Sequence, residues 1–419
     1  MAMSVATPIT RRGRDRSDTI DKAFAVFLGL YPFLCIYRFV SGLTIGDALL
    51  LLFFLRAIGR SVGKDGRTIA VLLFASFILL GFVKCILFNP AVVDGQLMSM
   101  VVRWVRVTFY LFAALLLGRN MAHRELFLKT LVIFSVIATA FLVFQYIAFY
   151  GAGSVVLGRI PGLQIYVEDY AEIDYETTYS YVFRPCSFFL EPASFVQYVV
   201  VALCALLFTK TFNKRLRVVL SVIITAGAIM TTSGQGILYI ALVYAIWFFL
   251  TTRKKSYCVL MLAGILVLIP ALYSSVEPFQ YAVNRLFVSE GASDARLGSY
   301  ELLLEIGSVG DLLFGQGFGY VPEGEWFSGA MYVLHGTGLV GFGFACAMFY
   351  QLFHKAHEVM PRVVCVIFFV MFFGTALFYN YMLFWYFATV IAFSEVREKE
   401  TSKAHPHRAA PIVRLRRVL

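Results

Sequence analysis

The sequence predicts an all-α polytopic integral membrane protein of about twelve transmembrane helices. Three observations predict it. Hydrophobic residues make up 60% of the 419-residue chain, and the mean hydropathy is +0.79. Apolar runs recur from Ala23 to Ser394. A bilayer core needs roughly 20 apolar residues per helical span and forces each backbone polar group to be satisfied within its own helix. Most of the positive charge falls in every second gap between the runs.

The spans read in order as 22–39, 43–59, 68–88, 98–118, 126–150, 193–210, 217–232, 235–252, 257–274, 327–353, 362–379 and 380–395. Span 1 follows a polar segment without a small-residue cleavage site, so it reads as a retained helix. Span 6 opens on Glu191-Pro192. Proline suits the first helical position, and a carboxylate there complements the helix dipole. Thr231-Thr-Ser-Gly-Gln-Gly236 joins spans 7 and 8. Spans 11 and 12 are divided only at Tyr379-Asn380-Tyr381. The domain layout is a basic tail over 1–21, a helical domain over 22–395 and a basic tail over 396–419.

Orientation follows from lysine and arginine. If the odd spans begin in the cytoplasm, 28 of the 36 Lys and Arg lie on that side. The exceptions are Arg38, Lys84, Arg103, Arg106, Arg159, Arg184, Arg285 and Arg296. Both termini are then cytoplasmic. The net charge of +11 comes from anchors such as Arg11-Arg12-Gly13-Arg14 and Arg414-Leu415-Arg416-Arg417. Those clusters are scattered over short loops, which speaks against nucleic acid as a partner. Six of the seven cysteines lie in spans and Cys186 lies in an outward loop, so no disulfide framework or metal spacing follows. The chain has no Walker A motif, no HExxH and no Asp-x-Asp pair, and no cofactor is implied.

Two outward segments are long, 151–192 and 275–326, and long loops are often functional. The first carries Glu168, Asp169, Glu172, Asp174 and Glu176 beside Arg159 and Arg184, with Tyr166, Tyr170, Tyr175, Tyr179 and Tyr181. That mixture suits sugar binding; a solvated loop with aromatics at the lipid interface is the other reading. The second segment predicts one interfacial helix. Ser293-Asp294 would cap it and Gly307 would end it. Leu297, Tyr300, Leu303, Leu304 and Ile306 would form its apolar stripe, and Glu301 and Glu305 would share another face.

The outer cations are candidate ligands for a pyrophosphate. Lys84 ends span 3, and Arg103 and Arg106 share a face at the start of span 4. Ionisable groups at membrane depth usually face a partner or a water-filled cavity, and arginine presents a planar fork of donors to phosphate. Snorkelling to the interface is the alternative. Arg285 and Arg296 of the second loop belong to the same substrate-binding set.

The stretch Arg184-Pro-Cys-Ser-Phe-Phe-Leu-Glu191-Pro-Ala-Ser-Phe-Val-Gln197-Tyr198 is the most distinctive in the chain. It resembles the "R-P-S-S-F-F-x-E-P-x-x-F-A-Q-Y" stretch of bacterial surface-polysaccharide polymerases. These are the Wzy-type O-antigen, capsule and exopolysaccharide polymerases of the O-antigen ligase/polymerase superfamily. Thr231–Gly236, Gly315-Gln-Gly-Phe-Gly319, Gly338-Leu-Val-Gly341 and the spacing from Arg296 to Gly307 are similar to further family pieces. The departures are Cys186 in place of serine, the lack of an R-x10-G in the first long loop, and Gly336 after His335, where family ligases carry His-Asn.

The resemblance implies a GT-C-like architecture in the bacterial inner membrane and a metal-independent, lipid-dependent glycosyltransferase. Its donor and acceptor would be undecaprenyl-pyrophosphate-linked glycans, and its further partners a chain-length regulator and a flippase. Glu191 and Arg184 would be catalytic. Lys84, Arg103, Arg106, Arg285, Arg296, His335 and Gln197 would bind substrate. An O-antigen ligase sharing fold and donor is the near alternative. A flippase for the same lipid-linked sugars is the distant one, but the sequence shows no internal repeats or broken helices of the transporter kind.

Overall fold

The computed structural model describes residues 9–40, 42–59, 65–88, 96–166, 183–252, 298–303, 308–322, 325–376 and 380–394, with a few single positions between them. Side chains are described from residue 18 onward. Most of span 9, Arg285, Arg296, the carboxylates and tyrosines of 168–181, Ser293-Asp294, Leu297, Leu304, Glu305 and Gly307 lie outside the described residues.

Twelve α-helices are described: α1 Ile9–Leu34, α2 Ile45–Ala57, α3 Gly66–Phe88, α4 Leu97–Arg119, α5 Arg124–Ala152, α6 Pro192–Phe208, α7 Lys214–Met230, α8 Gly234–Thr251, α9 Val309–Phe314, α10 Gly329–Lys355, α11 Val359–Gly374 and α12 Met382–Ser394. The only strands among the described residues are β1 Arg38–Val40 and β2 Leu43–Thr44, an antiparallel hairpin turned at Gly42, whose φ is +81°. The chain is therefore all-α. Five helices (α3, α4, α5, α8 and α10) are long and apolar enough to cross a membrane. The predicted spans overlap helices where the residues are described, but α1 starts well ahead of residue 22 and ends at Leu34, so the end of span 1 and the start of span 2 form the β1–β2 hairpin instead.

The spans are not equivalent. Every residue of α12 is buried, as is α6 from Phe195 to Leu206. These two helices, with 13 and 17 residues, are shorter than a bilayer span and apolar all round, as a helix enclosed by other helices must be. Trp385 of α12 stacks on Tyr198 of α6, with ring centroids 5.2 Å apart, and donates to the Leu28 carbonyl at 2.8 Å. Tyr198 donates to the Gly29 carbonyl and Tyr386 to the Gln197 carbonyl, each at 2.5 Å. These bonds knit α1, α6 and α12 together. Around them α12 packs along α4, α10 along α3, and α1 along α5. The outer helices keep exposed aliphatic stripes, such as Ile133, Ile137, Phe144 and Ile147 on α5.

The alternating chain direction separates two faces. At one, Asp65 joins the start of α3 to Arg119 at the end of α4 and pairs with Arg67 at 2.8 Å. Burial pushes the Asp65 carboxyl up, but the Thr68 N–H and the two arginines outweigh it and hold the group well below its ordinary value. The other face carries the hairpin, the described parts of both long segments and the Thr231–Gly236 turn; we call it the loop face.

Three local expectations change. Where the second segment predicts an α-helix, Gly298–Leu303 forms a 3-10 turn, with Tyr300 bonded to Ser328 at 2.9 Å. The helix that does form nearby is α9, capped by Ser308. Span 11 stops at Gly374, because the Thr375 hydroxyl turns back to the Met371 carbonyl at 2.9 Å while its own carbonyl accepts from Gly329 N at 2.7 Å. Cys186, read as facing outward, is buried.

The orientation expected from the basic-residue asymmetry would put the loop face outside the cytoplasm. Gly153 caps α5 with φ +63°, so a cysteine there would be strained; the exposed neighbour Ser154 is the better probe. In a background lacking native cysteines, an impermeant maleimide applied from outside is expected to modify Ser154→Cys and Ser289→Cys. Ser61→Cys and Thr211→Cys should stay unmodified, and labelling of the second pair alone would invert the orientation.

Candidate functional site on the loop face

The distinctive stretch is built around one strained residue. Ser187 has φ +58°, a left-handed conformation that non-glycine residues adopt only when their surroundings impose it. Gln145, fully buried on α5, imposes it. Its Oε1 accepts from Ser187 N at 2.8 Å, and its Nε2 donates to Ser187 O at 3.3 Å and to Val156 O at 2.8 Å. The Ser187 hydroxyl donates to the Ala138 carbonyl at 2.6 Å. Gly158 closes the other side: a Cβ there would stand 2.0 Å from the Ser187 carbonyl. Phe188 stacks on Phe141 at 4.5 Å. This clamp sets the direction in which the chain reaches Glu191.

Glu191 occupies the N-cap of α6 with extended backbone, and Pro192 follows at the first helical position. Its carboxylate makes no capping hydrogen bond. Its charge nevertheless stands at the N-terminus of α6, where it complements the helix dipole. The side chain is half-buried at the loop face and lies within electrostatic reach of the Tyr381 phenol, as do Cys35 and Asp47. Arg184, at the head of the stretch, is only 7% exposed. Gln197 is buried two residues beyond Phe195.

The outer cations hold loops. Lys84 Nζ pairs with Asp311 of α9 and donates to the Gly315 carbonyl, both at 2.6 Å. Arg103 donates to the Gly319 carbonyl at 2.8 Å. These two residues therefore tie the opposite ends of the Gly315–Gly319 strap. The strap's own N–H groups, from Gln316 and Gly317, donate to the carbonyls of His335 and Gly336 at 2.8 and 3.2 Å. Arg106 instead serves the hairpin and the first loop, donating to Tyr166 Oη at 2.7 Å and Gly42 O at 3.1 Å. Arg38 donates to the Tyr166 carbonyl at 3.3 Å. Arg103 and Arg106 share a helix face, as their spacing requires, but grip different segments. Lys84 and Arg103 are committed to the strap, and Arg106 to the hairpin and the first loop.

His335 is buried on α10 between the rings of Phe327 and Tyr320, with centroids 4.9 and 5.8 Å away. Its Nδ1 has no hydrogen-bond partner among the described residues. Three residues on, Gly338 breaks the helix with φ +65° and ψ −168°. No side chain fits at that position, because a Cβ would stand 2.4 Å from the Leu313 backbone. This corrects the expectation of unbroken helices.

Sequence reasoning missed Asp47. It lies in the first turn of α2, 5% exposed, and its Oδ1 accepts from Tyr110 Oη at 2.8 Å and Tyr31 Oη at 3.0 Å. Its charge also reaches Arg106. The available signal was a lone carboxylate in an apolar span, which is costly unless partnered. Gln145, the clamp of Ser187, was missed in the same way.

The described residues are almost entirely helical, with five helices long and apolar enough to cross a membrane, and their loop face carries Arg38, Arg103, Arg106, Arg159 and Arg184. Comparison with protein-family models, with curated proteins and with solved structures gives no match. No group of three or more His, Cys, Asp or Glu that could hold a metal is present among the described residues.

Proposed function

We propose that the chain is a bacterial surface-polysaccharide polymerase acting at the outer face of the inner membrane on undecaprenyl-pyrophosphate-linked repeat units. The observation that carries the reading is Glu191: a half-buried carboxylate at the loop face, making no side-chain capping hydrogen bond to α6, in a clamped stretch that resembles the polymerase sequence. The acceptor hydroxyl attacks the anomeric carbon of the donor glycan. The bond from that carbon to the pyrophosphate oxygen breaks, undecaprenyl pyrophosphate leaves, and Glu191 takes the hydroxyl proton. Arginine and lysine near the loop face offset the charge that develops on the leaving group. Arg184, being buried, acts from behind this surface.

The test is a reconstituted reaction. The purified protein in nanodiscs is expected to convert a lipid-linked repeat unit into a ladder of longer chains, with chain-length regulator and flippase absent. The ladder should persist in excess EDTA, because the chain has no Asp-x-Asp pair to hold a divalent ion. Loss of the ladder in EDTA with recovery on adding Mg²⁺ or Mn²⁺ would overturn the metal-independent mechanism. A ligase would move the glycan to a different acceptor and give no ladder.

The break at Gly338 favours one other reading, since transporters use discontinuous helices. A flippase would move the lipid-linked sugar across the bilayer without forming a glycosidic bond, so the same preparation separates the two.

A further inference from the structure

The described part of the first long segment, 151–166, differs from a solvated loop. Val155, Leu157, Ile160 and Leu163 are 47%, 37%, 42% and 40% exposed. They continue the exposed apolar stripe of α5, where Ile147 and Tyr150 are 63% and 53% exposed. Residues 151–166 contain no carboxylate and a single charged residue, Arg159, which is exposed and makes no hydrogen bond or ion pair among the described residues.

The segment is held in place. Arg38 N donates to Gln164 O and Tyr166 N to Ile36 O, both at 2.8 Å, and Ile160 N donates to Tyr37 Oη at 3.2 Å. Between it and the distinctive stretch lies only a shallow dent of about 20 Å³, open to the outside, with Ile36, Leu157, Cys186, Phe188 and Leu190 on its walls and Arg159 at its edge. Four exposed aliphatics, a single cation and continuity with the exposed apolar stripe of α5 describe a surface for a molecule with a hydrocarbon chain and an anionic head.

We propose that 155–163 is a lip dipping into the bilayer interface, and that it holds one anionic phospholipid with its phosphate on Arg159 and its acyl chains along the exposed aliphatics of the lip and α5. Bilayer depth favours the four aliphatics, as it does the apolar face of an interfacial helix. A basic side chain near an anionic surface contributes a factor of about five in binding. The proposal does not rest on the polymerase reading, and its test uses no glycan.

Two measurements decide it. In cysteine-free protein in vesicles, spin labels at Leu157→Cys and Ile160→Cys are expected to be reached by oxygen and shielded from an aqueous nickel complex, like a label at Ile147→Cys. A label at Lys214→Cys, on the opposite face, serves as the aqueous control. Labels at 157 and 160 that behave like the Lys214 control would overturn the proposal. The second measurement uses the otherwise native chain and so does not depend on the cysteine-free background. Native mass spectrometry in detergent with added phosphatidylglycerol is expected to show a bound lipid whose apparent affinity falls about fivefold in Arg159→Gln and is kept in Arg159→Lys. Equal retention in Arg159→Gln, or displacement of the lipid by inorganic phosphate at comparable concentration, would overturn it.

Discussion

Glu191→Gln is expected to lower polymerisation by on the order of 10²-fold or more, leaving single repeat units on the lipid carrier and no long polymer in cells. The substitution keeps the size of the side chain and removes its ability to accept a proton as a base. Because the Glu191 carboxylate makes no capping bond to α6, glutamine should leave the helix and the protein's abundance in the membrane intact. Arg184→Ala is expected to give the same loss, and Arg184→Lys to rescue poorly, since a point charge does not reproduce a planar fork. Arg184 is buried, so its variants need a parallel measurement of folded protein. A fall in abundance with normal activity per molecule would make Arg184 structural. Normal chain lengths in Glu191→Gln, with normal abundance, would remove that residue from the mechanism.

Asp47→Ala is expected to destabilise the helical bundle by about 3–5 kcal/mol, read as a lower thermal midpoint in detergent. Two buried tyrosine hydroxyls lose a charged acceptor, at about 1.5–3 kcal/mol for each such bond, and Arg106 loses its nearby counter-charge. Asp47→Asn should cost less, because an amide oxygen still accepts from Tyr31 and Tyr110. Coupling gives a sharper check. Tyr110→Phe should lower stability in the native background and change little once Asp47 is alanine. Additive effects would show that the two side chains do not act through their 2.8 Å bond. Arg106 in turn holds Tyr166 and Gly42, so the first long segment should also become more open to protease in Asp47→Ala.

The candidate site was legible in its parts and not in its assembly. Glu191-Pro192 at a helix start, the Arg103/Arg106 pair on one face of α4 and the glycine strap at 315–319 are local patterns, and the structure contains each of them. Their partners could not be read. Lys84 is paired with a carboxylate 227 residues away, Arg103 with a carbonyl 216 residues away, and Ser187 with an amide 42 residues away. Cys186 looked outward because it lies between two helices, yet the Gln145 clamp folds its segment inward.

The sequence by itself determined the class and the order of elements. An apolar run long enough to cross a bilayer, and the charge flanking it, are properties of contiguous residues, and the bilayer acts on them one helix at a time. Only the tertiary structure decided which helices are enclosed, where α10 breaks and what each ionisable side chain meets. All the spans are apolar, so hydrophobicity does not separate α6 and α12, packed on every side, from α3 and α5, which face lipid. The pairing of Asp47 with Tyr31 and Tyr110 arises where three helices converge, and a buried charge is tolerated only where distant segments bring its partners within hydrogen-bond reach.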